Sequence, residues 1–322
     1  MQIINSLNEL NIQDKTSIAL GNFDGLHVGH RKIMEDAINS AKEAGLKSLC
    51  FTFSNHPFNF IMQRSDNDPY AVKLICSEDE KIRLIEEMGF DILVNVPFDE
   101  HIMIMKAEDF FNDVILGKLN AGCVSVGFNY SYGARAGGNS QTLKKECEDA
   151  GIRVNIHDAV RVENKIVSST LIREMISIGN MELTAIYLGR AYAFRGTVDH
   201  GKRLGSAMGI PTVNIPAPGD IMLPPNGVYF SRIILDGREY KSVSNLGIRP
   251  TVGETRSVQA ASNQMAKTIE TNIFDFDDDA YGKEVVIYFD HFSRGEVRFE
   301  SKEELFAQIA ADCEKAKAYH FG

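Results

Sequence analysis

The stretch GNFDGLHVGH, residues 21–30, follows the apolar segment SIAL and places three glycines and two histidines in ten positions. This pattern predicts a strand, a glycine-rich turn and a helix over residues 28–44. The first turn of a helix offers unpaired amides and the positive end of its dipole to an anion. His27 and His30, one turn apart, then face one ligand. The stretch therefore predicts a phosphate site. The alternative is a simple tight turn with histidines in ordinary hydrogen bonds.

The sequence around this stretch alternates between strand-like and helix-like segments up to about residue 180. SLCFTF (48–53), DILVNV (91–96) and CVSVGF (123–128) are short and apolar, and Ser77 with Glu80 forms a capping box at the start of a helix. Strict alternation of this kind indicates crossover connections and a parallel sheet covered by helices. The first half is therefore predicted to be a Rossmann-like α/β domain of the nucleotide-binding type.

The pattern changes after about residue 190. GVYFSRIILDGREYKSVSNLG (227–247) contains two strand-like runs around an Asp-Gly turn, and KEVVIYFDHF (283–292) alternates apolar and polar residues. A capping box of Ser301 and Glu304 then opens a final helix. We expect a small antiparallel barrel or sandwich closed by this helix, with the two domains at residues 1–183 and 184–322.

Composition limits the classes of partner. The chain has 322 residues and a formal net charge of −10, which argues against wrapping a nucleic-acid backbone. Its five cysteines are scattered without a metal-binding spacing and indicate reduced thiols in the cytoplasm. We expect neither a signal peptide in the first fifteen residues nor a membrane span. Anionic ligands are therefore expected at local loops rather than at basic surfaces.

A second glycine-rich stretch, GTVDHGKRLGSAMGIPTVNI, covers residues 196–215. Its glycines and its basic pair suit a loop that approaches phosphates, although the spacing differs from the Walker pattern. Thr212 and Asn214 offer hard oxygen ligands of the kind that Mg2+ prefers. A glycine-rich turn with two solvated basic residues is the alternative interpretation.

Several segments together resemble one known family. GNFDGLHVGH resembles the HxGH signature of nucleotidyltransferases. VGFNYSYGARAGG (126–138) and SSTLIR (168–173) are similar to motifs of the flavin-specific branch, the prokaryotic bifunctional riboflavin kinase/FMN adenylyltransferase (FAD synthetase) family. The glycine-rich stretch with its PTVN, NLGIRPT (245–251) and IETNIFDFDDDAYG (269–282) resemble the riboflavin kinase motifs and occur in family order.

The resemblance implies an adenylyltransferase site in the first half, where His27 and His30 are the catalytic residues. The implied ATP and phosphate contacts are Gly21, Phe23, Asp24, Gly25, Gly29, Ser168, Ser169, Thr170 and Arg173. The implied flavin contacts are His56, Pro57 and Asn129. Tyr130 and Tyr132 stand where relatives often have phenylalanine, and core packing is the alternative role for both.

The resemblance also implies a riboflavin kinase site in the second half, where Glu270 is the general base and Thr212 and Asn214 bind Mg2+. The implied ATP and phosphate contacts are Gly201, Lys202, Gly205, Gly209 and Pro211, and the implied flavin contacts are Asn245 and Arg249. Asn272 is a departure, because relatives frequently have histidine there.

The implied reactions are riboflavin plus ATP to FMN, followed by FMN plus ATP to FAD and pyrophosphate. The resemblance therefore implies small-molecule partners (riboflavin, FMN and ATP), Mg2+ as cofactor, and neither a nucleic acid nor a membrane; a homo-oligomer is compatible with the sequence. Three alternatives stay open: one active domain only, a nucleotidyltransferase for another acceptor, and a flavin- or nucleotide-binding regulator without turnover.

Overall fold

The computed structural model describes residues 1–64, 71–199, 212–248 and 267–321. The chain divides into two compact units, Met1–Leu171 and Ile172–Gly322. The boundary expected after residue 183 remains a prediction. None of the described helices is long and apolar enough to cross a membrane.

The first unit is built on a parallel sheet of six strands. These are β1 (Gln2–Ile4), β2 (Thr16–Leu20), β3 (Lys47–Phe53), β4 (Ile92–Val96), β5 (Ala121–Gly127) and β8 (Arg153–His157), in the order β1-β4-β3-β2-β5-β8. Two short hairpins accompany it, β6 (Ser131–Tyr132) with β7 (Gly138–Asn139) and β9 (Arg161–Val162) with β10 (Lys165–Ile166). The parallel α/β architecture predicted for the first half is confirmed.

Helices connect these strands or follow the last of them along the chain. They are α1 (Val28–Ala44), α2 (Pro57–Gln63), α3 (Glu78–Glu87), α4 (Glu100–Ile104), α5 (Ala107–Asp109), α6 (Ser140–Asp149), α7 (Ser169–Ser177) and α8 (Met181–Leu188). A π-helix continues α5 over Phe110–Lys118, and a 3₁₀ turn spans Ala134–Ala136. The α7 helix crosses the division between the two units.

The central strands are apolar on both faces because the sheet has a core on each side. Ile18 and Leu20 of β2 belong to one buried cluster, whereas Ala19 belongs to the other. The same alternation holds for Leu49 and Cys50 of β3. A near-continuous apolar run in the sequence is the signature of such a strand.

The second unit contains an antiparallel sheet and a final helix. Its elements are β11 (Tyr192–Thr197), β12 (Thr212–Pro216), β13 (Gly227–Leu235), β14 (Arg238–Ile248), β15 (Lys267–Ile273), β16 (Glu284–Gly295) and α9 (Lys302–Ala318). The strand order is β11-β16-β13-β14-β15-β12. Asp199, just beyond β11, donates its N–H to the carbonyl of Asn214 on β12 at 2.8 Å, which brings the two edges together. The predicted barrel with a C-terminal helix is confirmed.

Local signals agree with this barrel. Asp236 and Gly237 both have positive φ, 51° and 75°, as a two-residue hairpin turn between right-twisted strands requires. Ser301 accepts a hydrogen bond from the N–H of Glu304 at 3.1 Å and caps α9. The hairpin turn and the start of the final helix therefore lie where the sequence signals place them.

Candidate functional site

His27 and His30 form a stacked pair at the start of α1. Their ring centroids are 3.5 Å apart with an interplanar angle of 19°. His27 is the N-cap residue, and its Nδ1 accepts the N–H of His30 at 3.2 Å. A neutral imidazole that accepts at Nδ1 carries its proton on Nε2. His27 can therefore donate from Nε2 to a ligand while it caps the helix.

The electrostatics of this helix end favour an anion. The first turn of α1 contains no acidic residue, so nothing there opposes the positive end of the dipole. Burial and then the charge of His27 hold the pKa of His30 well below its usual value, which keeps the ring neutral at pH 7. Its buried Nδ1 has no hydrogen-bond partner within the described part of the chain. The pair thus presents hydrogen-bonding groups without two adjacent cations.

The loop that presents the pair has an unusual backbone. Phe23 and Leu26 adopt positive φ values of 50° and 39°, which non-glycine residues rarely do. Packing explains the conformation, because both side chains are almost fully buried and the Phe23 ring meets His30 edge-on at 5.4 Å. Gly25 has φ 79°, and a Cβ there would lie 2.8 Å from Ile75. Phe23 can therefore offer a ligand its backbone, since its side chain belongs to the core.

The other two glycines of the loop permit close packing. A Cβ on Gly21 would lie 2.7 Å from the Phe23 ring, and one on Gly29 would lie 3.1 Å from the ring of His27. Larger residues would displace the rings that shape the loop. These glycines therefore support the histidine pair whether or not they contact a phosphate.

The SSTLIR segment is tied to the same loop. Ser169 donates its hydroxyl to the backbone carbonyl of Asp24 at 3.1 Å, and a carboxylate oxygen of Asp24 accepts the N–H of Ile75 at 3.0 Å. The Ser168 hydroxyl accepts the N–H of Leu171 at 3.2 Å at the start of α7. Both serines therefore have structural contacts. Thr170 is exposed, and Arg173 follows on α7 within the second unit.

The remaining residues predicted for this site follow neighbouring strands. His56 and Pro57 lie just after β3, at the start of α2, and the exposed Asn129 follows β5. Since β3, β2 and β5 are adjacent and parallel, these loops share the carboxyl edge with the histidine loop. Ligands of open α/β sheets bind at this edge.

The tyrosines of the neighbouring loop have a packing role. Tyr132 is buried and donates its hydroxyl to Glu146, and Tyr130 stacks on it at 5.7 Å against the same apolar cluster. The two positions where this chain has tyrosine and relatives often have phenylalanine are therefore positions whose side chains pack in the core.

The sequence did not single out a buried lysine at this edge. Lys81 of α3 lines a polar pocket with Asn22 and Asp24 from one loop and Asn55 and His56 from another. A lysine in a helix is ordinarily exposed, so composition and spacing gave no reason to place it there. The one available signal is its position on the stripe of α3 that continues with the buried Leu84 and Ile85.

The second unit aligns three of the predicted kinase residues. Asn214 on β12 pairs with Glu270 on β15, and Glu270 pairs with Asn245 on β14. Directly paired residues project to the same face of a sheet. Glu270 is exposed, Asn245 is half-buried and Asn214 is 6% exposed. An accessible carboxylate thus lies between two amides in one row.

Thr212 extends this arrangement along β12. It pairs with Asn272, two residues beyond Glu270, so both lie on the same face as the row. Thr212 also lines a pocket of about 350 Å³ together with Phe276 and three consecutive aspartates, 277–279. The expected glycine-rich loop residues Gly201, Lys202, Gly205, Gly209 and Pro211, and also Arg249, lie outside the described residues.

The side chains of this row could bind a metal ion only through oxygen atoms. Within the described ranges, no group of three His, Cys, Asp or Glu side chains is arranged to hold a metal ion. The buried Oδ1 of Asn214 has no hydrogen-bond partner among the described residues. A buried amide oxygen without a partner is costly, and a cation would satisfy it.

Comparisons with known proteins agree over nearly the whole chain. A family model described as FAD synthetase matches residues 9–171, and one described as riboflavin kinase matches residues 188–320. A bifunctional riboflavin kinase/FMN adenylyltransferase from Bacillus subtilis is 33% identical over 307 residues, which cover 95% of this chain and 93% of that protein. A protein of the same name from Haemophilus influenzae is 30% identical over 321 residues, with 99% of both chains covered.

One solved structure is similar along its full length. It is described as a macrolide-efflux protein from Streptococcus pneumoniae, and it shows a TM-score of 0.85 and 27% identity, with 99% of both chains covered. That description has no counterpart in either family match.

Proposed function

This chain belongs to the bifunctional riboflavin kinase/FMN adenylyltransferase family, and we propose that each of its two units carries one of the two reactions. The enzyme phosphorylates riboflavin with ATP to FMN, and it transfers AMP from a second ATP to FMN, giving FAD and pyrophosphate. One observation carries the division: the FAD synthetase match ends at residue 171, where the first compact unit also ends.

The adenylyltransferase reaction is assigned to the carboxyl edge of the parallel sheet. A phosphate oxygen of FMN attacks the α-phosphorus of ATP, and the bond from that phosphorus to the bridging oxygen breaks as pyrophosphate leaves. FMN is already anionic, so positioning and charge stabilisation suffice without a general base. His27 donates from Nε2 to a phosphate oxygen, and His30 and the amides of the first turn of α1 contact the same phosphates.

The kinase reaction is assigned to the row on β12, β15 and β14. A neutral ribityl hydroxyl is a poor nucleophile, so a base must take its proton as the oxygen attacks the γ-phosphorus of ATP and ADP leaves. Glu270 is the accessible carboxylate of the row and serves as this base. Asn245 orients the flavin substrate beside it, and Asn214 faces the nucleotide on the other side.

The kinase site fits Mg2+. Thr212 and Asn214 supply neutral oxygen ligands, and the Asn214 oxygen is the buried acceptor without a partner noted above. Mg2+ is bound by few protein ligands together with phosphate oxygens, which matches this sparse set. When bound, the ion would neutralise charge on the transferring phosphates.

The cysteines and the net charge support a location and a set of partners for this enzyme. All five cysteines are free, as expected for a cytoplasmic enzyme. We assign riboflavin, FMN and ATP as its small-molecule partners, and the acidic net charge supports an enzyme without a nucleic-acid partner.

The decisive test is a time course of the purified protein with riboflavin, ATP and Mg2+, with the flavins separated by liquid chromatography. FMN should form first and FAD should follow. FMN alone would remove the adenylyltransferase assignment once supplied FMN also failed to react. Untouched riboflavin, with equilibrium binding of flavin or ATP, would instead support a regulator without turnover.

A further inference from the structure

Lys81 is a buried cation in the pocket beside the adenylyltransferase site. The side chain is 7% exposed, and its amine donates a hydrogen bond to the backbone carbonyl of Phe53, the last residue of β3. Burying an ammonium group costs free energy that a carbonyl partner offsets only in part. An apolar side chain would fill this position of α3 without the free-energy cost of burying a charge. The lysine therefore calls for a functional explanation.

The location of the amine supplies that explanation. Phe53 immediately precedes the segment 54–57, which carries His56 and Pro57, the residues assigned to the flavin. On the other side, the pocket is lined by Asp24 of the histidine loop. Lys81 thus fixes the point where β3 ends and the flavin segment begins, next to the loop that contacts ATP.

We propose that Lys81 is a positioning residue of the adenylyltransferase site, which holds the end of β3 so that His56 and Pro57 meet the flavin substrate. The inference rests on the site assignment proposed above. It concerns FMN more than ATP, because the hydrogen bond is made to the strand that leads into the flavin segment. The charge of Lys81 strengthens that bond, since a charged donor makes a stronger hydrogen bond than a neutral one.

The charge of Lys81 responds to alkaline pH. Burial lowers the pKa of the Lys81 amine, and four groups oppose this effect: Cys76 and Glu78 near the start of α3, Cys50 of β3 and Asp24 of the loop after β2. The amine therefore loses its proton at a lower pH than an exposed lysine. An arginine at this position would keep its charge throughout the same range.

The experiment compares Lys81→Met, Lys81→Arg and a matched control, Lys144→Met. Lys144 lies on α6, is half exposed and forms a surface ion pair with Glu148. Initial rates of FAD formation are measured while FMN and ATP are varied in turn. Lys81→Met should raise the KM for FMN by about tenfold or more, the effect of losing one charge-assisted hydrogen bond, with a much smaller change in the KM for ATP. Lys144→Met should match the unchanged enzyme.

A pH series supplies a readout that a purely structural role would not move. The KM for FMN of the unchanged enzyme should rise in alkaline solution toward that of Lys81→Met, whereas Lys81→Arg should keep a low and flat KM. A flat profile for the unchanged enzyme would overturn the proposal, as would a parallel rise of both KM values in Lys81→Met. If Lys81→Met does not fold, the comparison of the unchanged enzyme with Lys81→Arg decides alone.

The histidine site is checked separately with His27→Ala. Normal FAD formation by His27→Ala together with a selective FMN effect of Lys81→Met would remove the catalytic role of His27 and leave the role of Lys81 in place. Loss of FAD formation in His27→Ala, with no change in the KM for FMN in Lys81→Met, would support the role of His27 and remove the role of Lys81.

Discussion

Two different replacements of His27 distinguish the role of its side chain as a helix cap from its role as a hydrogen-bond donor to ATP. Its Nδ1 caps α1 by accepting the N–H of His30 at 3.2 Å, and its Nε2 is assigned to the ATP phosphates. Alanine removes both the cap and the donor. Asparagine is a favoured N-cap residue whose carbonyl can accept the same N–H, so His27→Asn removes the donor and keeps the cap.

The two losses differ in size and in observable. Removing an N-cap costs about 1 kcal/mol of stability, which lowers the melting temperature of a unit of this length by about 3 °C. Removing one preorganised donor to developing charge lowers kcat by about 10²–10³-fold. We therefore expect His27→Ala to lose both stability and rate, and His27→Asn to lose the same rate at nearly unchanged stability.

The assay follows FAD formation from FMN and ATP, and it measures riboflavin phosphorylation in the same preparation as an internal control. Both variants should phosphorylate riboflavin normally and accumulate FMN. If His27→Asn formed FAD at the unchanged rate, the imidazole would have no part in the transfer and the cap would be its whole role. Equal loss of both activities would refute two independent sites.

Three further predictions address the kinase row and acid stability. Glu270→Gln should abolish FMN formation and leave adenylylation of supplied FMN intact; phosphorylation at the normal rate would remove its role as base. Asn214→Ala should raise the Mg2+ concentration for half-maximal phosphorylation by about tenfold, measured by Mg2+ titration at fixed ATP. Burial would raise the pKa of Asp36, but hydrogen bonds from Ser125 at 2.6 Å and Asn155 at 2.7 Å, among other contacts, lower it overall. Its stabilisation is therefore present above the unfolded pKa, about 3.9, and is lost as the pH falls through the native value, so Asp36→Asn should flatten the acid limb of melting temperature against pH.

Local signals predicted the secondary structure around the first site closely. The stretch 21–30 gave a strand, a turn and a helix, and the structure has β2 before the turn and α1 over Val28–Ala44, the predicted bounds. The positive φ of Phe23 and Leu26 could not be predicted in this way. It depends on where two side chains find space in the core, and no local preference of phenylalanine or leucine indicates it.

Long-range pairing limited the prediction of the second site. Asn214 was chosen as an oxygen ligand, and Glu270 and Asn245 were chosen by resemblance, but their alignment in one row depends on the register between three strands far apart in the chain. A shift of one residue would turn Glu270 to the opposite face. Register of this kind follows from the packing of the whole barrel, which a sequence pattern does not contain. The burial of Lys81 escaped prediction because a lysine on a helix is ordinarily exposed.

The two reactions require different chemistry, and the two units differ accordingly. An anionic nucleophile needs donors and a favourable dipole, which a helix N-terminus with a capping histidine provides at the edge of a parallel sheet. A neutral alcohol needs a base, and a carboxylate on the exposed face of a strand remains accessible to substrate. The first turn of α1 contains no acidic residue to repel the phosphates, and the residues paired with Glu270 are neutral amides. The proposed division of the reactions between two folds fits the opposite electrostatic requirements of the groups beside each nucleophile.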